Sequence, residues 1–184
     1  MDWNIPGTVL QARREDVDRV EERFSSMFLA GGIVLSQVSS ITGLEPHTIQ
    51  NWVKRGFLTK PVGKRYTLEQ LCRIISINML KSALPLEDIC GLLHYINGAL
   101  DDNSDDLIDD ATLYFLFLKL AVQHRRMKNQ DGRDTMLTAA LESYEEPIPG
   151  AKDRVEKVLR VMLTAWAASM LRQNAEKMIA ELKA

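Results

Sequence analysis

Apolar residues recur at helical spacing along almost the whole chain, and each run is cut by glycine or opened by proline. Sustained period-2 alternation is nearly absent, so the chain reads as mostly α. Residues 13–30 form a charged amphipathic pattern with Val17, Val20, Phe24, Met27 and Phe28 on one stripe, ended by Gly31 and Gly32. Ser36 is placed to cap a short helix through Ile41, which Gly43 stops. Pro46 opens the next helix as a first-turn proline, and Gly56 closes it. Thr67 caps a helix from Leu68 to about Ala83, and Pro85 opens another that runs to about Asn97. Further helices are predicted over 107–128, 133–144 and 151–182.

A chain of 184 residues that is 46% hydrophobic can bury a substantial core. Its most apolar stretches, 111–122 and 158–171, fall well short of the roughly 20 residues that span a bilayer. No signal peptide is visible, and no membrane association is expected. Cys72 and Cys90 have no ligand spacing and read as small buried hydrophobes in a reducing, cytoplasmic setting. His47, His94 and His124 are scattered. A calcium loop beginning at Asp101 would need Gly at 106 and Glu at 112, where Asp106 and Thr112 stand. The acidic run 101–110 therefore reads as a solvated linker leading into the next helix. The basic cluster from His124 to Lys128 suits the negative end of that helix. No nucleophile motif, phosphate loop or dinucleotide fingerprint is present. An enzyme is not expected, nor a metal or other cofactor.

Charge is uneven. Between Pro46 and Tyr66 there is no Asp or Glu, but there are Lys54, Arg55, Lys60, Lys64 and Arg65. The chain's net charge is −2, so everything outside that window sums to −7. A basic patch in an acidic chain commonly meets phosphate.

The patch lies on a recognisable arrangement. Two short helices separated by "TGLEP" make a helix-turn-helix pattern, with Val38, Ile41, Leu44, Ile49 and Trp52 or Val53 turned inward. A 100° step per residue then leaves His47, Thr48, Gln50, Asn51, Lys54 and Arg55 outward. Amide side chains suit adenine edges in the major groove, and lysine suits guanine. A polar helix exterior is also what plain solvation produces. The following loop adds Lys60, Lys64, Arg65 and Tyr66, placed to hold phosphates by charge and hydroxyl. A basic loop after such a helix is the pattern of a winged helix-turn-helix.

The run from Ile33 to about Leu93 resembles the MerR-type winged helix DNA-binding domain. More narrowly, it looks like an uncharacterised bacterial family of MerR-like domains of unknown function. "TGLEPHTIQNWVKRGFL" and "KRYTLEQL" are its most specific parts. The resemblance implies that Arg65 and Tyr66 hold phosphates at the wing and that Gln50, Asn51 and Lys54 lie at the reading face. Trp52 stands at the second of the family's paired tyrosines, Asn51 replaces the first, and Gln50 replaces the usual arginine, so base preference does not transfer. "ALPLEDI" departs from the family's second wing.

Typical MerR proteins pair through a long helix beyond the DNA domain. The helices at 107–128 and 151–182 are too apolar to lie alone in water, which points to intrachain packing and to a homodimer through the C-terminal helices. No cysteine follows Cys90, which excludes mercury- or copper-type sensing. The expected organisation is a helical arm (1–31), a MerR-like domain (32–98) and a helical C-terminal region (99–184). The expected function is sequence-specific binding of double-stranded DNA by a transcriptional regulator whose small-molecule effector, if any, is unknown. The alternative is a protein-interaction module that keeps this fold without binding DNA.

Overall fold

A computed structural model describes residues 2–100, 102–124 and 130–183. The protein is mostly helical. In chain order the elements are β1 (Asp2–Asn4), β2 (Gln11–Arg13), α1 (Val17–Met27), β3 (Ile33–Val34), α2 (Leu35–Thr42) and α3 (Pro46–Lys54). They continue with β4 (Arg65–Tyr66), α4 (Leu68–Leu80), α5 (Leu86–Asn97), α6 (Asp110–His124), α7 (Gln130–Ala140) and α8 (Ala151–Leu182). The strands form two antiparallel pairs, β1 with β2 and β3 with β4.

Local chemistry sets most helix ends. The Thr67 hydroxyl accepts from Gln70 N at 3.2 Å, and the Gln70 side chain accepts from Thr67 N at 3.0 Å, a reciprocal capping box. Pro46 is the first residue of α3, where its missing N–H costs nothing. Ser36 does not cap α2. The N-cap is Val34, two residues earlier, and the Gln37 side chain accepts from Val34 N at 2.9 Å. The first predicted helix is also shorter, because β2 takes Arg13 and a 3-10 turn takes Arg14–Asp16. Of the basic run from His124 to Lys128, only His124 lies within the described residues.

The core is one cluster running from Trp3 to Trp166, and it does not divide at residue 98. At its centre stands α4, whose residues Leu71 to Ile77 are all buried. It packs against α2, α5, α6 and α8. Tyr114 and Phe117 on α6 are fully buried, and Phe117 meets Trp166 of α8 edge-to-face at 5.8 Å. Side chains of that size each contribute about 1.5–3 kcal/mol on burial.

A single charge enters this core from α4. The Arg73 guanidinium lies 3.1 Å from the Asp110 carboxylate at the start of α6, and its Nε donates to the Phe57 carbonyl at 3.1 Å. Those contacts tie the chain just after α3 to the first turn of α6. Among the described residues, no helix is long and apolar enough to cross a membrane.

Candidate nucleic-acid interface

α2 and α3 are joined by the three residues Gly43 to Glu45, and their buried faces meet α4 and the core through Val38, Ile41, Leu44, Ile49 and Trp52. Burial of Ile49 and Trp52 fixes the rotation of α3. His47, Gln50, Asn51 and Lys54 are consequently exposed at the i, i+3, i+4, i+7 positions of one face, with Thr48 half-buried beside them. Two amides, an imidazole and an ammonium thus share one stripe.

Arg55 lies at the edge of that stripe and is already engaged. Its guanidinium stacks over the Phe57 ring at 4.4 Å and pairs with Glu87 on α5. The Glu87 carboxyl is held below its ordinary pKa, first by its own backbone N–H and then by Arg55. Both side chains remain largely exposed, so a stronger anion could compete for Arg55 at little cost. Glu45 stands immediately before α3, at the helix end that otherwise favours an anion.

The basic loop is rooted in α4. Gln70 Nε2 donates to the Thr59 hydroxyl at 2.7 Å and to the Thr59 carbonyl at 3.2 Å, just before Lys60. The loop then turns through Gly63 and Lys64, both left-handed at φ 57° and 63°, and Arg65 N donates to the Val62 carbonyl at 2.9 Å. Two positive φ values in succession make a type I′-like hairpin turn, which matches the twist of paired strands. Glycine takes this conformation freely; lysine does so at a cost of about 1–2 kcal/mol. The turn holds Lys64 at the exposed tip, beside Val62 at 85% exposure. Lys60 and Arg65 are exposed on the same loop, and Arg65 Nη1 also donates to the Gly32 carbonyl at 2.8 Å.

Tyr66 lies elsewhere than the sequence led one to expect. It pairs with Ile33 across β3 and β4 and is only 3% exposed. Its ring fills the core, and burial raises the phenol's pKa. The alternation of the strand explains this, since Arg65 outward requires Tyr66 inward. Arg73 and Gln70 hold the loop's root, and no motif in the sequence marks them as site residues. A lone arginine inside the apolar run "LCRIISI" was the available signal.

A second exposed face lies on α8. Its buried side carries Val155, Val158, Leu159, Met162 and Trp166. Opposite, Val161, Thr164, Ala168, Leu171, Ala175, Met178 and Leu182 are all exposed, with spacings that alternate between three and four. Leu171, Met178 and Leu182 are 70%, 63% and 87% exposed. Alternating three- and four-residue steps are the spacing of a coiled-coil seam. From Leu171 to Lys183 every residue is exposed.

A family model matches residues 20–117. The chain belongs to that family, a domain of unknown function (DUF1836). The matched segment begins inside α1 and ends inside α6, so it contains α3, the basic loop and the Arg73–Asp110 pair, and leaves α7 and α8 outside. The chain is also similar to "Uncharacterized protein YkrK" of Bacillus subtilis (strain 168), with 24% identity over 162 residues, covering 82% of this chain and 70% of that protein. No solved structure matches the chain significantly.

Proposed function

We propose that this DUF1836 protein is a sequence-specific, double-stranded-DNA-binding transcriptional regulator of MerR-like type, acting in the cytoplasm. One observation carries the reading: the exposed polar stripe His47, Gln50, Asn51, Lys54 is followed directly in the chain by an exposed basic loop whose tip lysine occupies a costly left-handed conformation. Strained backbone of this kind concentrates at binding sites. In the proposed complex α3 enters the major groove. Gln50 and Asn51 face base edges there, with Lys54 able to reach guanine. Lys60, Lys64 and Arg65 contact adjacent phosphates, and Arg55 exchanges Glu87 for a phosphate oxygen. Tyr66 supports the loop from the core and touches no DNA.

The α8 seam pairs with that of a second copy in this reading. Two-fold symmetry then calls for a pseudo-palindromic site. The same seam favours the second reading, an interaction module that binds another protein through α8 and no DNA at all. Salt separates the two. Fluorescence anisotropy with duplex from the protein's own upstream region should give affinity that falls steeply with salt. Lys64→Ala/Arg65→Ala should weaken binding and reduce the log–log slope by about 2 per protomer. Binding equally weak for wild type and double variant at low salt would exclude the DNA reading and leave α8 as the functional surface.

A further inference from the structure

On the side of α8 away from the seam, the N-terminal loop, the end of α4 and α8 enclose a cleft of about 610 Å³. That volume lies within the range of small-molecule sites. Trp3, Met79, Trp166 and Met170 supply much of its apolar lining. Arg14, Lys81 and Lys177 are its charged lining residues, and among the described residues no carboxylate lines it. None of the three cations is ion-paired among the described residues.

Two further polar groups of the lining residues lie beneath its surface. Trp3 Nε1 and Arg14 Nε are buried donors without a partner. A buried donor left unpaired costs about 1–3 kcal/mol, so both favour an acceptor brought close by a small shift of the lining. Partial burial lowers the Lys81 ammonium's pKa, a shift that an adjacent anion would reverse. Unpaired cations beside an aromatic and apolar lining describe a complement for one kind of molecule. We propose that this cleft is a binding site for a small carboxylate with an aromatic body.

The cleft is wired to α2 and α3. Asn78 Nδ2 donates to the Gly7 carbonyl at 2.9 Å and to the Thr42 carbonyl at 3.0 Å, joining the N-terminal loop to the last residue of α2. Gly7 has φ 77°, and a Cβ there would lie 2.3 Å from the Ile75 carbonyl oxygen, so the loop is pressed against α4 without room for adjustment. Lys81 Nζ lies 6.0 Å from the centre of the Trp52 ring on α3. A carboxylate in the cleft draws Lys81 away from Trp52 and bears on the loop that Asn78 couples to α2. The ligand thereby shifts the seating of α3, a regulatory consequence that rests on the DNA reading above; binding itself does not.

The test uses indole-3-carboxylate as probe, neutral indole as control, and the three indole N–H peaks of the ¹⁵N-labelled full chain as readout. The Trp3 and Trp166 peaks should move along a saturable curve with the carboxylate. Indole should bind about tenfold more weakly, as expected for loss of a charge-assisted hydrogen bond. Lys81→Gln/Lys177→Gln, at two exposed positions that leave the fold intact, should weaken the carboxylate about tenfold and leave indole unchanged. No response of either peak at millimolar probe, or equal binding of the two probes, overturns the assignment. If the probe binds but leaves DNA affinity unaltered, the regulatory consequence falls while the site stands. Failure of DNA binding without probe tells only against the DNA reading.

Discussion

α3 and the last turns of α8 both present a full face to solvent, and the two faces are chemically opposite. α3 shows amides and cations over a buried Ile49 and Trp52, whereas α8 shows Leu171, Met178 and Leu182 with little buried beneath them. A polar face on a tightly packed helix suits a partner recognised by charge and hydrogen bonds, with orientation fixed in advance. An apolar face on a projecting helix suits a partner that supplies the missing core. The first interaction responds to salt and the second to protein concentration, so the two can be broken separately.

The largest effect is expected at the contact that ties the loop side of the molecule to its helical half. Arg73→Ala leaves Asp110 buried without its cation and should destabilise the protein by about 3–5 kcal/mol in a urea titration. Retention of wild-type stability would mean that the basic loop does not depend on α6. Next comes Leu171→Lys/Met178→Lys/Leu182→Lys, which should convert a dimer to a monomer in multi-angle light scattering and make Tm independent of protein concentration, with helical content retained because all three side chains are exposed. A wild type that is already monomeric at high concentration would remove the seam from the comparison.

Smaller is Lys64→Asn. Asparagine tolerates the left-handed region, so stability should rise by about 1 kcal/mol while DNA affinity and its salt slope fall. A stabilised variant with undiminished DNA binding would show that the tip is strained for some other reason.

The smallest is a pH effect. Burial, then Asp110 and Asp105, push the Asp106 carboxyl from 3.8 up to about 6. Because the folded pKa is the higher one, its favourable contribution is complete below about pH 4 and is lost as pH rises through 6. Asp106→Asn should therefore raise Tm at pH 7, with the gain disappearing in acid. A gain that is constant from pH 4 to 7 would assign it to packing.

Features governed by near neighbours were legible in the sequence. Thr67, Pro46 and Gly43 act within one turn of their own positions, and the outward set on α3 follows from a fixed angular step. Features set by distant pairing were not. β1 and β2 join Trp3 to Ala12 in strands of three residues, too short to show alternation. Tyr66 is buried because β4 pairs with a strand more than thirty residues earlier. The same holds for Arg55, whose partner Glu87 belongs to another helix, and for the cleft, whose walls come from both ends of the chain. Arg73 occupies a middle position: its oddity among apolar neighbours was visible, but its partner Asp110 lay within what read as a solvated acidic linker.

The Tyr114 hydroxyl donates to the Pro6 carbonyl at 2.8 Å, a bond that closes a loop of 108 residues. Trp3 and Ile5 beside it are buried. During synthesis the segment around Trp3 and Ile5 is made before α4 and α6, and it must wait for them before it has anywhere to dock. Contacts so distant in sequence form slowly, because their closure entropy precedes their reward. A segment made before its docking partners then reaches its place after them, and until it does, two large apolar side chains stand open to whatever binds nascent chains.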